Sequence, residues 1–305
     1  MQVNFQYIWS RFTNCLLKGS LPWSAYLLIG LFVIRMLSGC TKEVNLALQS
    51  TAAKLVIEGV VSNGTLGSYV RLSYSQDFTD QNAFTYLSDA VVVLKDSTRS
   101  FKDTLKVGLD SDGQPYFYTR KIHPDVGHVY QLLVQANGNT YTARSVMPDT
   151  VSFDGITLLA EAGQLNKESV FTAVPKYVDQ PGVKNYYRFE QYINGVKDPG
   201  ISVLNDNVGD GLVNERPIFT KDIDIHLGDT LSVVMIQITQ PVYQYFYQLE
   251  QNQQELGGTP SNPTSNIYLD ADKSTGGNNN NSGAQVLGYF SAEYRQYFTA
   301  IIKED

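Results

Sequence analysis

Val129-Tyr130-Gln131-Leu132-Leu133-Val134-Gln135 and Thr140-Tyr141-Thr142-Ala143-Arg144-Ser145-Val146 face each other across Ala136-Asn137-Gly138-Asn139. Both runs alternate apolar with polar residues, the period of a strand with one buried face. An Asn-Gly pair between two such runs is the strongest short-range hairpin signal, because both turn residues must accept positive φ. The same pattern continues upstream. Leu55 to Val61 reads as a strand broken at Ser62-Asn63-Gly64. Tyr69 to Tyr74 alternates, with Val70, Leu72 and Tyr74 on one face. Ala90 to Leu94 is β-branched and short, and reads as a buried strand by composition. Gln114 to Ile122 alternates around Tyr116 and Tyr118. Short strands with turns at regular spacing predict a sandwich over residues 54–148. Met147-Pro148-Asp149-Thr150 is expected to follow it as an exposed segment between two domains.

Residues 149–305 are also strand-rich. Tyr186 to Ile193 leads into Asn194-Gly195, a second hairpin, and Gly228-Asp229 turns into Thr230 to Ile238. Strands are expected again at Gln285 to Phe290 and at Tyr297 to Ile302. One helix interrupts them near 240–256. Thr239 can cap it, Pro241 suits its first turn, and Val242, Tyr245, Phe246 and Leu249 fall on one face. Gly257-Gly258 is the expected stop. Residues 271–284, rich in Asn and Gly, read as a loop without apolar surface to bury. The fold class is therefore mainly β: an N-terminal Ig-like or prealbumin-like β-sandwich, then a second β-rich domain carrying one helix.

The chain has 305 residues, of which 43% are hydrophobic and 17% charged, enough to build cores and to exclude a disordered chain. Its formal net charge of -7 argues against nucleic acid as a partner, since phosphate binding needs surplus Lys and Arg. Two cysteines exclude a disulfide-rich scaffold.

The first 39 residues read as an address. Arg11 and Lys18 precede the apolar run Tyr26 to Ile34, and small residues close it at Leu37-Ser38-Gly39-Cys40. The run is short for a membrane span, and Arg35 separates it from Met36 and Leu37, so a retained transmembrane anchor is the weaker alternative. Leu37-Ser38-Gly39-Cys40 resembles the bacterial lipobox. That resemblance implies a diacylglyceryl thioether on Cys40, cleavage before it, and acylation, as by palmitate, of the new amino terminus. Several acyl chains at about 0.8 kcal/mol per buried methylene would hold the protein on a membrane. Residues 40–53 then form a lipidated tether. Cleavage removes Arg11, Lys18 and Arg35 and no acid, leaving 20 basic against 30 acidic side chains. Such a body is repelled by anionic lipid, so the lipid on Cys40 is the anchor. Cys15 leaves with the leader, so no free thiol remains for nucleophilic chemistry.

The order of segments resembles outer-membrane lipoproteins of the Bacteroidota type that are classed as a domain of unknown function. The shared landmarks are Cys40, Val56-Ile57-Glu58-Gly59, Asp89-Ala90-Val91-Val92, Tyr130, Tyr141 and Met147-Pro148. Tyr186-Tyr187, Gly228-Asp229, Tyr243 to Phe246, Ser265-Asn266-Ile267 and Leu287-Gly288-Tyr289-Phe290 continue the series. Such proteins are often encoded beside TonB-dependent outer-membrane receptors, which implies a role in uptake. The resemblance carries over no catalytic or ligand residues.

Chemical motifs are sparse. His123, Asp125 and His128 share one loop, but zinc needs three or four ligands, and Pro124 and Gly127 suggest a plain turn. Asp110-Ser111-Asp112-Gly113 and Asp206-Asn207-Val208-Gly209-Asp210-Gly211 are like fragments of calcium loops. Their twelfth positions, Lys121 and Pro217, cannot supply the closing carboxylate, so turn chemistry is expected. No metal or cofactor site is assigned. There is no Gly-x-Ser-x-Gly elbow and no phosphate or dinucleotide loop. Tyr186, Tyr187, Tyr192, Tyr243, Tyr245 and Tyr247 offer rings for packing or for contact with sugars and partners. The expectation is a non-enzymatic lipoprotein of the outer membrane, accessory to a TonB-dependent uptake system. A surface adhesin or glycan-binding lipoprotein is the alternative, and an unrecognised hydrolase the third.

Overall fold

The computed structural model describes residues 53–76, 83–160, 170–253, 262–270 and 286–303. The expected leader, Cys40, most of the tether, the Gly257-Gly258 stop and the 271–284 loop lie outside the described residues. The elements run β1 (Leu55–Ser62), β2 (Ser68–Tyr74), β3 (Val91–Asp96), β4 (Phe101–Thr104), β5 (Lys106–Leu109), β6 (Pro115–Thr119), β7 (Val129–Ala136) and β8 (Asn139–Val146). They continue with β9 (Phe153–Ala160), β10 (Phe171–Tyr177), β11 (Tyr186–Ile193), β12 (Val196–Lys197), β13 (Ser202–Asn205) and β14 (Thr230–Gln237). Helix α1 (Gln240–Gln253) follows, then β15 (Ile267–Leu269) and β16 (Leu287–Ile301). The chain is mainly β, with one helix among the described residues, none of which forms a helix long and apolar enough to cross a membrane.

The first hairpin forms as its residues dictate. Asn137 and Gly138 take φ of +53° and +73°, and β7 pairs with β8 from Val129↔Val146 to Ala136↔Asn139. This pair is the centre of a five-stranded sheet ordered β15-β8-β7-β3-β4. Its inner face, with Val92, Leu94, Leu132 and Val134, packs on Ile57, Leu72, Phe117 and Phe290 of the facing layer. The facing layer belongs to a nine-stranded sheet, β12-β11-β14-β16-β1-β2-β6-β5, with β13 added beside β11. Strand β16 links its two parts. Leu287 to Glu293 run parallel to β1, and Tyr294 to Ile301 run antiparallel to β14. The first sandwich is therefore completed by β15 and by the start of β16, both from the end of the chain.

Strand β14 is buried on both faces from Val233 to Gln237, which explains the apolar run Val233 to Ile236. Leu231, Val233 and Met235 join Tyr177, Tyr187 and Phe189 in a second core. Val234 and Ile236 point the other way, against Val242, Tyr245 and Phe246 of α1 and Tyr289 of β16. The helix thus covers one face of the large sheet with the stripe its spacing predicts. Burial of each such side chain stabilises by about 1.5–3 kcal/mol.

Several expectations are corrected. The two final strands are one strand of fifteen residues, β16. Ala90 to Leu94 is not fully buried: Val92 and Leu94 face the core, while Val91 is 47% exposed. The alternation expected in β6 is present, with Phe117 in the core and Tyr116 and Tyr118 on the opposite face, their tilted rings 5.6 Å apart. Met147 is buried in the first core rather than exposed, and only Asp149 and Thr150 stand out in solvent.

Candidate functional site

The outer face of the five-stranded sheet forms a groove of about 840 Å³. Strand alternation places its residues. While Leu94, Leu132 and Ala143 turn inward, Val93, Lys95, Gln131, Leu133, Thr142 and Arg144 turn outward. Register then aligns them across strands. Lys102 stands opposite Lys95, Lys95 opposite Gln131, and Gln131 opposite Arg144. The next row is Thr104, Val93, Leu133, Thr142 and Tyr268. Strands lie about 4.8 Å apart, so the row from Lys102 to Arg144 spans roughly 14 Å. Thr239 and Pro241, at the start of α1, form part of the wall. There the unpaired N–H groups of the first turn add a partial positive charge. No acidic side chain among the described residues lines the groove.

The residues proposed from sequence for metal chemistry hold turns instead. Asp96 accepts from His128 Nδ1 at 2.9 Å and from the backbone N–H of Thr98 and Arg99. Burial alone would raise the Asp96 carboxyl; the His128 bond and those backbone donors outweigh it and hold it below the usual carboxylate range. The His123 carbonyl accepts the Tyr130 hydroxyl at 2.9 Å, and Asp125 pairs with Arg99. Asp110 accepts the N–H groups of Asp112 and Gln114 and pairs with Arg71 at 2.6 Å. Asp206 accepts the Asn185 N–H and pairs with Lys184. The described residues contain no group of three metal-ligating side chains.

The tyrosines separate into two sets. Tyr187 is fully buried against Tyr177, centroids 4.6 Å apart, and Tyr245 packs on Tyr289 at 5.1 Å. Tyr192 donates its hydroxyl to Glu190. Tyr186, Tyr243 and Tyr247 make a ladder along the helix, at 5.1 and 5.7 Å, ending at the exposed ring of Tyr247.

Sequence reasoning missed a buried ionic cluster beneath α1. Arg188 Nη1 lies 2.9 Å from Glu190 Oε1, and Lys197 Nζ lies 2.9 Å from the same oxygen. Arg295 donates to Glu293 at 2.8 Å through Nε and reaches Glu190 at 3.4 Å. The Arg188 guanidinium sits 4.5 Å from the Phe246 ring centroid. Burial alone would raise the Glu190 carboxyl; Arg188, Arg295 and Lys197 outweigh it and hold the group far below its usual range. The cluster links β11 to β16 through largely buried Arg188, Glu190, Glu293 and Arg295, with the Lys197 side chain half exposed at its rim.

A second surface feature is a hollow of about 560 Å³ near residues 178–183 and 206–216. Val208, Leu212 and Val213 line it and are 71%, 66% and 51% exposed. Asp210 and Glu215 stand exposed beside them. The loop is shaped rather than loose. Asp179 accepts the Gly211 N–H, Asp210 accepts the Gly182 N–H, and Arg216 donates to the Asn205 carbonyl. Exposed apolar residues grouped in this way mark contact surfaces.

Residues 41–293 match the family model of the domain of unknown function DUF4249. The match covers most of the chain, which belongs to that family. Among curated proteins no relative matches.

Proposed function

We propose that this family member is a non-enzymatic outer-membrane lipoprotein, anchored by lipid on Cys40, that docks on a TonB-dependent receptor as an accessory of uptake. One observation carries the docking part: Val208, Leu212 and Val213 are held in solvent around one hollow by a well-bonded loop. Asp210 and Glu215 beside them suit a partner with basic residues around an apolar contact. The Leu37-Ser38-Gly39-Cys40 box supports the anchor, which confines the fold to a membrane plane where weak contacts gain effective concentration. The non-enzymatic reading is supported by the use of Asp96, Asp110, Asp206 and His128 as turn and pairing groups.

Replacing the lipid-bearing thiol tests the anchor. Cys40→Ala should move the protein from the membrane pellet to the soluble fraction. An unchanged pellet with the leader retained would point to a transmembrane anchor. Docking is tested by a tagged pull-down from mild-detergent membrane extracts, in which a receptor barrel should be recovered, with recovery falling as salt rises.

A further inference from the structure

Lys102, Lys95 and Arg144 form a line of positive charge on one face of four neighbouring strands, with only Gln131 between them. Like charges directly opposite across strands destabilise a sheet. Arg71, Arg99, Lys121, Lys184 and Lys197 have carboxylate partners, so lone cations are not the rule, although single unpaired lysines also stand elsewhere on the surface. The side chains of Lys95, Lys102 and Arg144 have no ion pair and no hydrogen bond among the described residues. The chain carries an excess of acids, yet none among the described residues lines this groove. The positive potential is thus local, sits in a concavity, and is reinforced at one end by the start of α1.

The rest of the lining limits the kind of anion. Val93 and Leu133 give an apolar floor, and the Tyr268 ring is 43% exposed at the β15 end. Gln131 and Thr142 add uncommitted polar groups that can both donate and accept. The groove is a sheet face and not a sheet edge, so it offers no free backbone ladder to an extended peptide. A peptide main chain laid here would find only Gln131 and Thr142 as partners and would leave most of its polar groups unpaired. Three cations are also too few to hold a nucleic-acid backbone on a chain of net charge -7. A sugar ring has an apolar face for Tyr268 and Leu133, hydroxyls for Gln131 and Thr142, and, where acidic, charges for the cation row. The groove volume falls within the common range for ligand sites.

We propose that this groove binds an anionic oligosaccharide, with carboxylate or sulfate groups over Lys102, Lys95 and Arg144 and a sugar face against Tyr268. The site is independent of the lipid anchor and of the receptor contact, so a failed pull-down leaves it standing and its own failure leaves docking standing.

Titration calorimetry on the full chain in non-ionic detergent tests it. The probes are an oligogalacturonate, its methyl ester, a sulfated galactan oligomer, its desulfated form and a tetraglutamate peptide. At least one acidic sugar should bind at low salt, with its neutral counterpart at least tenfold weaker. Lys95→Gln with Lys102→Gln should weaken that binding tenfold or more, with an unchanged or higher melting temperature because a repulsion is removed. Tyr268→Ala should weaken the sugar alone. The proposal is overturned if neither acidic sugar binds, if neutral forms bind equally, if tetraglutamate binds as tightly, or if the folded double variant keeps full affinity.

Discussion

Gly288 sits where β16 begins to run beside β1, with φ of +103°. A Cβ on this residue would overlap the Ile57 carbonyl, which is backbone and cannot swing aside. Gly288→Ala should therefore destabilise the fold by about 3 kcal/mol or more in a denaturant titration; a loss under about 1 kcal/mol would contradict the register. Glu250 of α1 presents the opposite kind of strain. Burial pushes its carboxyl up to about 7, despite a bond from the Val203 N–H. A carboxyl raised above its unfolded value, about 4.3, penalises the folded state once ionised. Stability from this group is thus full below about pH 4 and erodes as pH rises to 7. Glu250→Gln should raise stability at pH 8 by about 1 kcal/mol, a figure reduced for partial exposure, and give no gain at pH 4. Melting curves at the two pH values decide it. Neither residue stands out in sequence, because the clash and the burial come from distant segments.

At the scale of elements, legibility followed burial pattern. The β7–β8 hairpin and α1 each have one apolar face, and alternation or helical spacing reveals them. Strand β16 was read as two because Glu293, Tyr294 and Arg295 interrupt its apolar run. In the structure Glu293 is fully buried, neutralised by Arg295, so the interruption in hydropathy is no interruption of the strand. Strand β10 carries Pro175, and β9 is largely exposed, so neither presents a strand pattern. The ionic cluster gives a test of how β11 and β16 hold together. Glu190→Gln leaves Arg188 and Lys197 without a full counter-charge and should cost about 3–5 kcal/mol. Its folded carboxyl is held below the unfolded value, so its stabilisation is present above about pH 4 and is lost as pH falls further. Acid unfolding of the wild type should be steeper than that of the variant, as followed by circular dichroism; parallel curves would exclude Glu190 as a stabilising charge.

For the whole molecule, composition predicted an acidic body, and the average concealed a basic groove. Lys95, Lys102, Gln131 and Arg144 are spread over four strands, and only the register of those strands puts them in line. Val208 likewise reads only as part of the Asp206 to Gly211 turn, and Leu212 and Val213 carry no pattern, since a turn motif does not tell which side chains the loop leaves in water. The proposed anchor is the reverse case: Leu37 to Cys40 is legible in sequence and lies outside the described residues. The proposed anchor, groove and apolar hollow would together make a binding module held at a membrane. Its central claim is that the hollow meets a receptor barrel. Val208→Ser with Leu212→Ser removes apolar contact from exposed positions and should leave the melting temperature unchanged. The direct measurement is quantitative mass spectrometry of pull-downs with the tagged wild type and this double variant. A TonB-dependent barrel enriched by the wild type and reduced at least tenfold by the variant is the predicted result. Absence of any barrel above an untagged control, or equal recovery by both proteins, would contradict it.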